Sequence, residues 1–312
     1  MLKKVLIGAF ILSLTLGGEV FADSGAAALL KMSPGARATG MGGAFVAVGG
    51  DATVASWNPA GLADLSSKEV SFTYSSLSYD RTYNFINYVH PLGKDGTLGI
   101  GLINCGIADY ERWSERNVHL GEGDYSSNAI LLSYGRKLND WIMLGGNVKY
   151  LSSSMDGNSG GKDAKGAGID IAAYLKPGKD LSLGFVLADL GMEEDWKNTE
   201  YDVPLKLKLG LAYKPLKDGS LILATDFTRN MDENITHLNL GAEWQVLKNL
   251  AARVGTGLKQ EDGENVGSLA VGIGYKFEVS QGTSLGLDYA YSDTNQKELD
   301  LDAHRVSLSV KF

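Results

Sequence analysis

A single cysteine, Cys105, is all that the 312-residue chain carries, so no internal disulfide can form and no thiolate cluster can hold a metal. The four histidines, His90, His119, His237 and His304, stand far apart, and the patterns H-x-x-x-H, C-x-x-C and G-x-S-x-G are missing. These absences leave no metal site and no activated nucleophile, and the chain reads as a non-enzyme without a cofactor. Asp156-Gly157-Asn158-Ser159-Gly160-Gly161-Lys162-Asp163 has the look of a calcium loop but lacks the closing glutamate, and reads as a solvated loop. Basic residues are outnumbered 29 to 37, for a net charge of -8. Nucleic acid is therefore not an expected partner. Long apolar runs are also lacking. The longest, Val5 to Leu16, falls short of the ~20 residues that a membrane-spanning helix needs.

That short run follows Lys3-Lys4 and leads to Val20-Phe21-Ala22. A basic start, an apolar stretch and a small-residue site describe a secretory signal peptide, here residues 1–22 with cleavage after Ala22. No cysteine lies near the site, which excludes a lipoprotein.

What the chain has in abundance is alternation. From residue 68 onward the hydrophobic period is two. Val70, Phe72 and Tyr74 alternate with Glu69, Ser71 and Thr73, and Leu205, Leu207, Leu209 and Leu211 alternate with Lys206, Lys208, Gly210 and Ala212. Fourteen such runs can be marked: 68–78, 82–91, 97–105, 126–136, 141–152, 167–176, 181–190, 204–214, 220–228, 236–246, 250–259, 267–278, 284–292 and 303–312. Most have the roughly 9–11 residues that a tilted strand needs to cross a bilayer, and their number is even. Tight-turn sequences such as Gly93-Lys94-Asp95-Gly96 and Pro177-Gly178-Lys179-Asp180 alternate with longer polar segments, 106–125, 153–166 and 191–203 among them. This pattern predicts an all-β, 14-stranded antiparallel transmembrane barrel over 68–312, with short turns at one end and longer loops at the other. On the apolar face, Leu207 and Leu209 should reject arginine, whereas Lys206 and Lys208 should tolerate leucine. Lipid and the barrel-assembly machinery are the implied partners. Phe312, closing the alternation Val306, Leu308, Val310, is the expected assembly signal.

Residues 23–67 do not alternate. They contain Gly35-Ala36-Arg37-Ala38-Thr39-Gly40-Met41-Gly42-Gly43-Ala44-Phe45, then Asp51-Ala52-Thr53-Val54-Ala55-Ser56-Trp57-Asn58-Pro59-Ala60-Gly61. The glycines let backbone approach backbone closely. Asn58-Pro59 is a helix start, with Asn as cap and Pro at the first position. Fourteen strands enclose more space than inward side chains fill, so this segment is expected to fold as a plug within the barrel. Arg37 and Asp51 are expected to pair with lumenal charges such as Asp170, Asp226, Glu243, Arg253 and Lys276, either as a fixed anchor or as a latch.

The same stretch, about 30 contiguous residues, resembles the N-terminal signature of the PorV/PorQ family. That family lies within the superfamily of FadL-type outer-membrane barrels, which share the Asp-Ala…Asn-Pro-Ala-Gly element. The resemblance implies an outer-membrane location and one of two roles. One is handling of secreted cargo proteins beside the subunits of a type IX secretion complex; the other is passive transport of hydrophobic small molecules. The polar segments 109–124 and 193–202 are rich in charge and hold Trp113, Trp196 and Tyr201. That composition suits protein recognition, so protein handling is the leading expectation and small-molecule transport the alternative.

Overall fold

In the computed structural model, residues 27–312 are described, apart from 33, 79, 115, 157–160, 197–198, 234, 262–263, 297–298 and 301–302. The signal peptide and the centre of the calcium-like loop lie outside the described residues, as do Glu115 and Lys197 of the charged loops.

All fourteen strands form: β1 (Glu69–Leu77), β2 (Arg81–Pro91), β3 (Thr97–Trp113), β4 (His119–Lys137), β5 (Ile142–Met155), β6 (Lys162–Leu175) and β7 (Leu181–Asp195), followed by β8 (Lys206–Tyr213), β9 (Leu221–Asn230), β10 (Thr236–Leu247), β11 (Leu250–Glu261), β12 (Glu264–Ser280), β13 (Thr283–Gln296) and β14 (Ala303–Lys311). Each pairs antiparallel with its neighbours in chain order, and β14 pairs both β13 and β1, which closes the sheet. Closure removes the sheet edge, a necessity in lipid, where an unpaired backbone group has no water to turn to. Lys68 and Phe312 exchange two backbone hydrogen bonds, 3.1 and 3.0 Å, and carry the seam one step beyond β14.

The alternation places each side chain. Phe72, Ile100, Leu132, Leu209, Leu269 and Leu308 face outward and are exposed, while Ser71, Thr73, Ser133, Lys206 and Ser307 are buried within. Apolar residues outside and polar residues inside is the arrangement that a lipid solvent selects.

The strands run longer than the apolar alternation at the end away from the short turns. β3 and β4 have 17 and 19 residues, well beyond the ~9–11 of a bilayer crossing. Most of the expected loop 106–125 is therefore hairpin. Charged side chains can stand on both faces of a ladder once it leaves the lipid, so charge did not mark its end.

Candidate functional site

Residues 34–64 lie along the inner wall. Two short helices, α1 (Ala36–Gly40) and α2 (Val54–Trp57), and a 3₁₀ turn over Pro59–Asp64 give the segment order. Asn58 caps that turn as expected: its Oδ1 accepts from the Ala60 amide at 3.1 Å. Its Nδ2 donates to the carbonyls of Val46 at 2.9 Å and Ala173 at 3.1 Å, tying the turn to β6. Trp57 donates from Nε1 to the Pro34 carbonyl at 3.1 Å and packs on Phe45. Gly61 leaves room for Val54, whose Cγ2 would lie 2.7 Å from an added Cβ.

The wall receives this backbone through glycines of its own. A Cβ at Gly135 would stand 2.6 Å from the Pro59 carbonyl oxygen, one at Gly210 would stand 2.8 Å from the Ala47 nitrogen, and one at Gly40 would stand 3.0 Å from the Gly272 Cα. Gly145 would clash with Ala60, Gly184 with Val46, Gly241 with Met41, and Gly255 with both Met41 and Gly42. From β4 to β12, inward glycines form a track on which the segment lies backbone to backbone. The segment's own glycines were legible; the strand glycines were missed, although glycine inside a strand is itself a sign of close backbone approach.

Charge fixes the segment along this track. Arg37 donates from Nε and Nη2 to the two carboxylate oxygens of Glu243 on β10, both at 2.7 Å, and from Nη1 to Asp51 at 2.7 Å. Glu243 also accepts from Arg253 at 2.6 Å, and Arg253 continues to Asp288 at 2.6 Å. Burial alone would pull the Arg37 guanidinium down, but Glu243 and Asp51 outweigh it and hold it well above its usual value. Burial would likewise push the Asp51 carboxyl up; Arg37 and the Thr53 hydroxyl reverse this and hold it below the usual carboxylate range. Asp226 does not pair with a charge of this segment. One of its oxygens accepts the amides of Phe45 and Val46, at 2.6 and 2.7 Å. Lys276 is exposed and pairs with Glu278, not with Asp51.

A second cluster stands on β5–β8. Lys149 binds Asp170 at 2.6 Å and also Asp189, and Lys206 binds Asp189 at 2.9 Å. The expectation that Lys206 would tolerate leucine is corrected here, because this lysine is buried and paired. Asp189 adopts φ 66° where the β6–β7 register shifts, a bulge that turns its carboxylate to the lumen. The cluster lines an interior cavity of about 350 Å³ whose other walls include Met32, Trp57, Tyr83, Ile103, Leu131 and Ile235. Beside it, toward the long hairpins, Leu29 joins Tyr83, Phe85, Ile103, Leu131 and Met192 in an apolar cluster.

Trp113 is exposed on the β3–β4 hairpin and stacks on His119 with ring centroids 5.0 Å apart, and Tyr201 is exposed on the short ladder Glu200–Asp202 that pairs with β7. Trp196 is half-buried. These three do not line the lumenal cavity. Among the described residues, no group of three or more His, Cys, Asp or Glu side chains could hold a metal ion.

A closed, lipid-facing barrel of fourteen antiparallel strands defines the chain as an outer-membrane β-barrel. Residues 93–312 match the outer membrane protein beta-barrel domain family, and the chain belongs to it. No curated protein matches the chain by sequence. Among solved structures it is similar to the CymD monoaromatic hydrocarbon channel, at 14% identity and TM-score 0.67, over 89% of this chain and 96% of that one. It is likewise similar to the Ralstonia pickettii toluene transporter TbuX, at 14% and 0.67 over 89% and 97%, and to a Pseudomonas aeruginosa FadL homologue, at 14% and 0.64 over 89% and 97%. The first two are titled a channel and a transporter, and at 14% identity the likeness shows a shared fold.

Proposed function

We propose that the protein is a passive outer-membrane channel for hydrophobic small molecules, with residues 27–64 as the element that limits passage. The observation that carries this reading is the cavity of about 350 Å³ between that segment and the inner wall, beside apolar side chains toward the long hairpins. Similarity to structures titled as toluene and hydrocarbon channels supports it. In this reading the long hairpins face the exterior and the short turns the periplasm. The test is uptake of a neutral aromatic probe into liposomes containing the purified barrel. Uptake no faster than in empty liposomes would refute it.

A second reading, handling of secreted proteins in the manner of the PorV/PorQ family, is favoured by the exposed Trp113, Val118 and Leu120 among charges on the β3–β4 hairpin. It is supported by the signature around Arg37 and Asn58, and it predicts retention of secreted cargo when Trp113 is replaced. The cavity, which such a role does not need, places it second.

A further inference from the structure

Tyr83 of β2, Ser75 of β1 and Arg305 of β14 occupy one row of the sheet. Ser75 is directly opposed to Arg305 on one side and to Tyr83 on the other. All three are buried on the inner wall, and directly opposed side chains in antiparallel strands stand about 5 Å apart. The Tyr83 hydroxyl, the Ser75 hydroxyl and the Arg305 Nε are each buried without a hydrogen-bond partner. Arg305 donates from Nη1 to the Ser292 hydroxyl at 3.1 Å, and among the described residues no carboxylate pairs with it. The other lumenal arginines treated above are neutralised, Arg37 by Asp51 and Glu243, Arg253 by Glu243 and Asp288.

A guanidinium has five donors and no acceptor, and a hydroxyl can turn to donate. Buried without a counter-charge, in the same row as Tyr83, which packs with Leu77, Phe85 and Ile103, such a cation is costly, and adjacent unsatisfied donors add to the cost. An anion answers all of them together. We propose that this row binds one small monoanion of halide size, held by Arg305 with the hydroxyls of Tyr83 and Ser75 donating to it. One unpaired guanidinium sets the charge at one. The spacing of about 5 Å between opposed side chains in the row sets the size, since it suits a single small ion. The site adjoins the lumenal cavity, whose wall includes Tyr83.

The test uses the folded, detergent-solubilised barrel. Crystals soaked in sodium bromide should show an anomalous peak within hydrogen-bond distance of Arg305. The midpoint of the heat-induced shift in gel migration should be higher in sodium chloride than in sodium gluconate at equal ionic strength, because gluconate is too large to enter. Arg305→Met should abolish both the peak and the difference between salts. If that variant does not assemble, Tyr83→Phe, which removes one donor and keeps the ring, should shrink the difference between salts. Equal midpoints in the two salts for the unaltered protein, absence of bromide at Arg305, or a salt difference that persists in full in Arg305→Met or Tyr83→Phe would each overturn the proposal.

Discussion

Arg37 grips Glu243 with two parallel hydrogen bonds of 2.7 Å, a fork-to-fork contact between residues 206 positions apart. It joins the N-terminal segment to β10 at a point where both side chains are mostly buried. Planar bidentate pairing is what lysine cannot reproduce. Arg37→Lys should therefore loosen the segment, and Arg37→Ala should go further, since breaking a buried pair costs about 3–5 kcal/mol. The barrel itself should still assemble. Single-channel conductance in a planar bilayer should rise in the order wild type, Lys, Ala; equal conductance in all three would remove residues 34–64 from any role in limiting passage.

The same contact has a pH signature. Asp51 holds its proton less tightly in the folded protein than in the unfolded chain. Its contribution is then complete above the unfolded carboxyl value of about 3.9 and is lost as pH falls through the lower folded value. Conductance should stay flat from pH 7 to pH 5 and rise only below about pH 4. A rise near pH 6 would place control in some other group.

Gly255→Val should displace the segment without unfolding the barrel. The added Cβ meets the backbone of Met41 and Gly42, and forced overpacking costs about 1–3 kcal/mol. A valine at Gly282, an open turn position with nothing near its Cβ, controls for glycine loss alone, and strain at its φ of 86° stays local. The Gly255 variant should show higher conductance with normal heat-modifiable migration, and the Gly282 variant should show neither change.

Leu209→Arg, on the lipid face, should cost roughly 2–4 kcal/mol near the bilayer midplane. Lys206→Leu should cost less, about 1–3 kcal/mol, because Asp189 keeps Lys149 but loses its second partner. Denaturant titration of the folded barrels in liposomes ranks the two. A cost for Leu209→Arg well below about 2 kcal/mol would mean that Leu209 does not face lipid.

Removing Phe312 should lower assembly in the outer membrane and leave export intact. Its ring is exposed on the apolar face, and its backbone closes the seam with Lys68. Replacing it with Ala keeps those backbone bonds, so fractionation of Phe312→Ala beside the deletion separates the ring's part from the seam's.

Much of the barrel is visible in the alternation itself. Val70, Phe72 and Tyr74 against Glu69, Ser71 and Thr73 set the face of β1, and fourteen such runs set the strand number. Strand ends were less legible, because beyond the lipid a ladder such as β3 tolerates either polarity on either face. The candidate site divides in the same way. Arg37, Asp51 and the cap at Asn58 lie in a dense local signature. Asp189, Arg305 and the strand glycines do not, since each is a single inward residue whose partner is remote in the chain.

The sequence by itself determined which solvent each strand face meets, because a period of two is a local property and transfer between water and lipid acts residue by residue. It also determined that residues 35–61 pack closely, because glycine's freedom is local as well. Only the tertiary structure decided where that segment lies, which carboxylates hold it and that Arg305 has none beside it among the described residues. Closing the sheet brings β14 against β1 and sets Arg305 beside Ser75 and Tyr83, and whether a buried charge is neutralised depends on those distant neighbours and not on the residues that flank it.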